Sequence, residues 1–251
     1  MPEKENSDYY NISLRAENEI TKRVLSEFKK ENKFYERALN LLFEVVDYFY
    51  QSKSSGFFDS TFAILTMLPR LFGTIQSIRV LTVKGYYYDA VILERSVVEN
   101  LGLCVYLVNN EKEAKRWLAG KDIRMPKINI FDEFFSLILQ DAEKRDHRWK
   151  ALYGELSQYL HATLKAIGPT YVRNIGDYID QSTTVQYEFP PFFDEKLVTN
   201  FALYPMLTLM MLVELFKEDL KDRYLNKILK CLRDYLSAMR AYETDRHTET
   251  D

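Results

Sequence analysis

The fold is decided by the stretch Tyr88-Asp-Ala-Val-Ile-Leu-Glu-Arg-Ser-Val-Val-Glu-Asn-Leu-Gly-Leu103. Its apolar residues occur on every side of a helix, because Val91, Ile92 and Leu93 alone cover nearly a full turn. A helix that is apolar on all sides is normally surrounded by other helices. The stretch therefore predicts a central helix, from about Tyr87 to Asn109, in a multi-helix bundle.

The composition favours the same fold class for the rest of the chain. The 251 residues are 47% hydrophobic and 28% charged, as in ordinary globular proteins, with only 8 glycines and 7 prolines. An all-β fold usually needs more glycine for its tight turns. Only residues 170–193 lack a helical pattern, and Val185, Tyr187 and Phe189 alternate there with polar residues, as in a short strand. We expect an all-α, multi-helix bundle in one domain, 1–251, with one irregular or β segment near 170–193.

Turn chemistry predicts the ends of the helix that precedes the central one. Asp59 or Ser60 can cap its first turn. Pro69 lies inside it and should kink it near Thr66. Gly85 supplies a stop.

The first helical region, from Ile12 to Gln51, is strongly charged in its first half. Apolar residues are widely spaced there, from Ile20 to Phe28, and form only a narrow stripe. Residues 1–32 are therefore predicted to form a helical arm that either projects or packs on a partner subunit. The exposed stripe suggests a homodimer. At the other end, the polar residues 242–251 are expected to form a flexible tail.

The charge balance argues against a general DNA-binding protein, and the apolar segments argue against a signal peptide and a membrane span. The chain has 34 basic and 37 acidic side chains, a net charge of -3, unlike a general DNA-binding protein. Met1–Asp8 lacks the apolar core of a signal peptide. The uncharged stretch Leu197–Val213 contains Pro205 and is interpreted as a buried helix rather than a membrane span. We expect a cytoplasmic protein with no contact to membranes.

No standard motif for a cofactor or a metal occurs in the chain. There is no glycine-rich phosphate loop, no HExxH and no GxSxG. Cys104 and Cys231 lie in helical apolar patterns without the paired spacing of a zinc site, so core packing is their expected role. We expect neither a cofactor nor a metal.

Arg95 and Glu99 lie one turn apart on the central helix. An arginine four residues before a glutamate is the less favourable order for an ion pair on a helix surface. A buried charge, in turn, is costly unless it is paired. Two interpretations remain open. The pair is either a buried ion pair that fixes the position of the helix, or a guanidinium and a carboxylate that line a pocket. Gly102 would allow another helix or a ligand to approach closely.

A second polar group follows on a later helix, in Tyr153-Gly-Glu-Leu-Ser157-Gln-Tyr-Leu-His161. Tyr153, Ser157 and His161 recur every four residues and lie along one edge of an apolar stripe. His161 is either a core or boundary residue, or a general acid or base, because a histidine titrates near neutral pH.

The motifs around these residues resemble a group of prokaryotic helical proteins of unknown function. The shared patterns are G-x-x-x-D-A-x-x-L-x-R-S-x-x-E, which begins at Gly85, and a later L-S-x-x-x-H. These helices are similar to the HEPN (higher eukaryotes and prokaryotes nucleotide-binding) superfamily. Many HEPN proteins are RNases of toxin–antitoxin and phage-defence systems. The resemblance covers roughly residues 57–216.

The resemblance implies one site formed by both helices. It would bring together Arg95, Glu99 and His161 as catalytic residues, with Ser157, Tyr153 and Asp89 as substrate-binding residues. Catalytic HEPN nucleases also carry an arginine, four to six residues and then a histidine on a late helix. The only literal match here, Arg240 to His247, lacks the polar residue that usually follows the arginine.

Two functions remain open at this stage. The first is a HEPN-like effector that binds RNA or a nucleotide, associated with defence or toxin systems, and ribonuclease-like if it is an enzyme. The alternative is a non-catalytic helical interaction or regulatory protein in which the same residues form a buried structural network.

Overall fold

A computed structural model describes residues 9–52, 58–123 and 202–248 of the chain. These ranges contain helices and short connections but no strand, which confirms the predicted all-α class. The irregular segment predicted near 170–193 and the predicted helix with His161 lie outside the described residues. The described helices are α1 (Tyr9–Glu27), α2 (Lys29–Ser52), α3 (Asp59–Lys84), α4 (Tyr87–Val108), α5 (Glu111–Leu118), α6 (Leu203–Phe216) and α7 (Asp222–Thr248).

The first helical region is divided into α1 and α2 at Phe28. The helical hydrogen bonds of the backbone continue through this point, from Phe28 N–H to Val24 O (2.9 Å) and from Asn32 N–H to Phe28 O (3.1 Å). The Asn32 side-chain amide also donates to Phe28 O at 3.2 Å. Such side-chain bonds compete with regular helix geometry, which is consistent with a local interruption rather than a loop.

The described part of segment 1–32, expected as an arm, packs within its own chain. Its narrow apolar stripe lies in the core, where Ile20, Val24 and Phe28 are buried. The Thr21 hydroxyl donates to Val83 O at the end of α3 (3.3 Å). Because the stripe is covered by the chain's own helices, it no longer argues for a partner subunit at α1.

Pro69 lies in the middle of α3 and has no N–H to donate. Leu65, four residues earlier, would normally receive that hydrogen bond. Instead the Tyr50 hydroxyl of α2 donates to Leu65 O at 3.2 Å. A side chain from a neighbouring helix therefore satisfies the carbonyl that proline leaves without its helical partner.

α3 ends at Gly85, as predicted. Gly85 has φ 90°, in the left-handed region that a side chain disfavours. Its N–H donates to Thr82 O (3.1 Å), and the N–H of Tyr86 donates to Leu81 O (2.9 Å). These bonds satisfy carbonyls at the end of α3, and the short connection brings α4 back against α3.

The start of α3 differs from the prediction. No side chain at its N-cap makes a capping bond, so neither Asp59 nor Ser60 serves as the cap. The Glu111 carboxylate, at the first turn of α5, accepts the backbone N–H groups of Asp59 (2.7 Å) and Ser60 (3.1 Å). The cap therefore comes from a residue about fifty positions later in the chain.

α6 is the buried helix predicted near residues 197–213, and almost all its side chains belong to the core. Pro205 lies in its first turn, where a missing N–H costs no helical hydrogen bond. Cys104 and Cys231 are also buried, as predicted. None of the helices that the structure describes is long and apolar enough to cross a membrane.

The last helix is longer than expected. α7 continues to Thr248, so residues 242–248 of the expected tail are helical. No glycine or proline occurs between Asp222 and Thr248 to stop the helix.

Candidate functional site

The candidate site lies on α4, which has two distinct faces. Its core face repeats every three or four residues and consists of Tyr87, Ala90, Val91, Glu94, Val97, Val98 and Leu101. Next to this face, Arg95, Ser96, Glu99 and Asn100 are half-buried. Within the described residues α4 packs against α3, α5 and α6. The polar residues that the sequence singled out therefore lie at the boundary of the core rather than inside it.

Arg95 and Glu99 form the predicted pair. Arg95 Nε lies 2.9 Å from Glu99 Oε1. The Arg95 side chain is 16% exposed and that of Glu99 42%. The pair is therefore not sealed in the core, since the carboxylate reaches solvent while the guanidinium is largely shielded.

α1 provides an internal comparison, because it carries an Arg–Glu pair of the same order and spacing. Arg23 Nε lies 3.0 Å from Glu27 Oε1, with side chains 53% and 48% exposed. The geometry of the two pairs is nearly the same, but only Arg95 is shielded by its surroundings. Charges lose screening as water is excluded, so the Arg95 guanidinium interacts more strongly with nearby groups than the Arg23 guanidinium does.

Asp89 stands apart from this pair. It is exposed and lies in the first turn of α4, where a negative charge suits the helix dipole. Asp89 and Arg95 are six positions apart, which corresponds to about 9 Å along the helix axis and about 120° around it. The structure therefore does not bring Asp89 together with Arg95 and Glu99.

Tyr153, Ser157 and His161 lie outside the described residues. Their position relative to Arg95 and their roles remain predictions.

Glu94, next to Arg95, is a polar residue that the sequence reasoning missed. Its side chain is only 3% exposed. The Tyr204 hydroxyl of α6 donates to Glu94 Oε2 at 2.7 Å. Burial raises the pKa of the Glu94 carboxyl from 4.5 to about 7, against the opposing effect of that hydrogen bond. The signal was present in the sequence, because Glu94 falls on the core-facing repeat of α4.

The two neighbouring residues thus have different chemistry. Glu94 points into the core and is uncharged over part of the physiological pH range, whereas Arg95 carries a fixed positive charge at the boundary. A guanidinium whose plane is held by a carboxylate is suited to bidentate binding of an anionic oxygen group.

Among the residues described, no three or more His, Cys, Asp or Glu side chains form a group that could hold a metal ion.

Comparison with known proteins identifies a similar family but assigns no activity. A family model described as "Family of unknown function (DUF5677)" matches residues 61–136, a range that contains all of α4 and its motif. Neither the curated proteins nor the solved structures contain a match. The chain is therefore similar, over this central part, to an uncharacterised family.

Proposed function

We propose that this protein is a HEPN-like effector that binds the phosphate groups of RNA or of a nucleotide at the half-buried face of α4. The observation that carries the proposal is the shielding of Arg95, which is 16% exposed and held by Glu99 at 2.9 Å. A shielded and oriented guanidinium binds a phosphate more strongly than one in bulk water does.

The roles of the other residues follow from the motif resemblance. Glu99 orients the guanidinium, and His161 acts as general acid or base if the bound RNA is cleaved. Ser157 and Tyr153 are the proposed further contacts to the ligand, whereas Asp89, which lies apart from Arg95 on α4, is not included. A protein of this kind would act in the cytoplasm, and a role in phage defence or as a toxin is part of the same proposal.

The exchange of Arg95 for lysine tests phosphate binding. Lysine keeps the charge but cannot form the bidentate contact. We expect Arg95→Lys to weaken binding of a labelled single-stranded RNA, or of ATP, roughly tenfold, equivalent to about 1.4 kcal/mol. Fluorescence anisotropy with RNA and calorimetry with ATP distinguish the two ligands.

Arg23→Lys is the matched control, because Arg23 forms the same kind of pair on the exposed face of α1. It should bind both ligands like the wild type. Equal affinities for the Arg95→Lys and wild-type proteins would contradict a role of Arg95 in binding.

His161→Ala tests catalysis separately. RNA cleavage should be lost in this variant, while RNA binding, which depends on Arg95, should be retained. Identical cleavage rates for the variant and the wild type would remove the proposed role of His161.

The alternative is a non-catalytic interaction or regulatory protein whose polar residues hold the helices together. The buried Glu94–Tyr204 hydrogen bond favours it, because this bond joins α4 to α6 across 110 residues of sequence. In that case Arg95→Lys changes neither RNA nor ATP binding. Since Glu99 is 42% exposed, Arg95→Ala should cost only about 1 kcal/mol of unfolding free energy, not the several kcal/mol of a sealed pair.

A further inference from the structure

α1 is attached to the rest of the chain by few apolar side chains. Among its described side chains, Ile20 and Val24 are buried, and the buried Phe28 follows at the break before α2. In α6, by comparison, ten of 14 residues are buried. The first turns of α1 leave Tyr10 72% and Ile12 55% exposed. Because a segment with few buried apolar contacts opens at a lower free-energy cost than the core, α1 can be released while the other helices stay packed.

The middle of α1 is held by polar contacts at the connection between α3 and α4. The Glu17 carboxylate accepts hydrogen bonds from Lys84 Nζ (2.9 Å) and from the Tyr86 hydroxyl (2.6 Å). One turn further along α1, the Thr21 hydroxyl donates to Val83 O (3.3 Å). The Lys84 side chain is 48% exposed, so water has access to this group of contacts and can replace the partners when they separate.

The break between α1 and α2 has buried polar groups beside it that the closed state leaves unsatisfied. Glu31, three residues after Phe28, is fully buried, and neither of its carboxylate oxygens has a hydrogen-bond partner among the residues that the structure describes. Within the same residues, Nε of Arg79 is also buried without a partner, while Nη2 donates to Asn32 Oδ1 at 3.1 Å. A buried polar group without a partner costs free energy that contact with water recovers. Hydration of this region therefore favours opening.

We infer that α1 is a releasable strap, with its hinge at residues 28–32 and its latch at Glu17. When closed, the strap contacts the end of α3 and the residue before α4, the helix that carries Arg95. Opening breaks the two hydrogen bonds of Glu17 and hydrates Glu31 and Arg79, while α2 to α7 stay packed. The two glutamates therefore act in opposite directions, because Glu17 stabilises the closed strap and Glu31 favours the open one. The strap controls the exposure of the connection that positions α4.

Amide hydrogen exchange of the full chain tests the strap. The amides from Ile20 to Glu27 should exchange together, at least about tenfold faster than those of α6, which report opening of the core. A gradient along α1, fast at Tyr9 and slow at Glu27, would indicate fraying of the helix end and would overturn the proposal. Equal rates in α1 and α6 would overturn it as well, because α1 would then open only with the core.

Glu17→Gln tests the latch. It should speed exchange in α1 about tenfold relative to α6, because it removes the charge of the acceptor for Lys84 and Tyr86. Glu19→Gln is the matched control, since Glu19 is an exposed glutamate of the same helix, and it should leave the exchange unchanged. If Glu17→Gln exchanges like the wild type, Glu17 is not the latch and the proposal fails.

Glu31→Met tests the hinge and should act in the opposite direction. It should slow exchange in α1 about tenfold relative to α6, because an apolar side chain of similar length replaces a buried carboxyl without a partner. Glu36→Met, at an exposed position of the same helix, is the control and should have no effect. The ratio to α6 removes any general change in stability. Unchanged or faster exchange in Glu31→Met would refute the strained hinge.

Thiol labelling measures the opening with both the hinge and the latch intact. Val24 is fully buried on the strap, and the native Cys104 and Cys231 are buried in the core. In Val24→Cys the introduced thiol should react at least about tenfold faster than the two native thiols, which become accessible only when the core opens. One common rate for all three thiols would contradict local release. These measurements contain no RNA or nucleotide, so they are independent of the phosphate-binding proposal for Arg95.

Discussion

Glu94 shows how much the surroundings of a single residue determine its chemistry. The carboxyl lies among core side chains of α4, with the Tyr204 hydroxyl at 2.7 Å. Burial disfavours its charged form and raises its pKa to about 7. The neighbouring Arg95, one position along the chain, is turned towards the boundary of the core and pairs with Glu99. Adjacent residues therefore meet different environments because a helix turns by about 100° per residue.

The raised pKa of Glu94 predicts a pH-dependent stability. The folded-state pKa lies above the ordinary value of 4.5, so the neutral carboxyl stabilises the fold fully below pH 4.5. This contribution is lost as the pH rises through about 7 and amounts to roughly 3 kcal/mol at most. Glu94→Gln, which cannot ionise, should remove this loss and should unfold at higher denaturant concentration than the wild type above pH 7.

Urea unfolding from pH 4 to pH 8 checks this prediction. Glu99→Gln is the control, because it removes a half-exposed carboxylate from the same helix, and it should keep the pH-dependent loss of stability. Parallel curves for the Glu94→Gln and wild-type proteins would refute the buried, titrating carboxyl.

At the level of elements, α3 depends on its neighbours at both its start and its middle. The bond from Tyr50 to Leu65 O satisfies the carbonyl left by Pro69. Tyr50→Phe should therefore cost about 1 kcal/mol of unfolding free energy. In a Pro69→Ala background the N–H of residue 69 can bind Leu65 O, so the same change should cost close to nothing.

A double-mutant cycle with denaturant unfolding measures this coupling. Equal costs of Tyr50→Phe in the two backgrounds would show that the hydroxyl does not substitute for the missing N–H.

The start of α3 depends on a carboxylate of α5. Hydrogen bonds donated by Ser60, and then by Asp59, lower the pKa of the Glu111 carboxyl. A lowered pKa means that the charged form stabilises the fold above pH 4.5, and this contribution disappears as the pH falls through the lowered value. At pH 7 Glu111→Gln should therefore speed amide exchange at Asp59 and Ser60 and reduce the melting temperature.

The effect of Glu111→Gln should shrink as the pH falls below 4.5 and through the lowered pKa. Glu113→Gln is the control, since Glu113 lies in the same first turn of α5 but pairs with Arg116. Unchanged exchange at Asp59 and Ser60 in Glu111→Gln would contradict the capping role.

At the scale of the whole molecule, distant segments are joined by polar contacts as well as by the core. α7 returns to α2 through Arg37–Asp234 and Lys227–Glu44, each at 2.6 Å. α1 is held to the connection between α3 and α4, where Glu17 binds Lys84 and Tyr86 at 2.9 and 2.6 Å. α1 is therefore held to the rest of the chain by these polar contacts as well as by its buried apolar side chains.

The sequence by itself determined features that depend on neighbouring residues. Helix periodicity predicted the all-α class and the buried α6, the conformational freedom of Gly85 predicted the end of α3, and the spacing of Arg95 and Glu99 predicted their pairing. Each of these follows from groups within a few positions of one another, where helix geometry fixes the distances.

Only the tertiary structure decided which residues far apart in sequence meet. Glu111 caps α3 in place of Asp59 or Ser60, Tyr204 reaches Glu94, and the stripe of α1 lies in the core. It also showed that Arg95 is shielded while Glu99 reaches solvent. These outcomes depend on how whole helices pack, because the meeting of distant groups and the shielding of a side chain at the edge of the core are properties of several elements together.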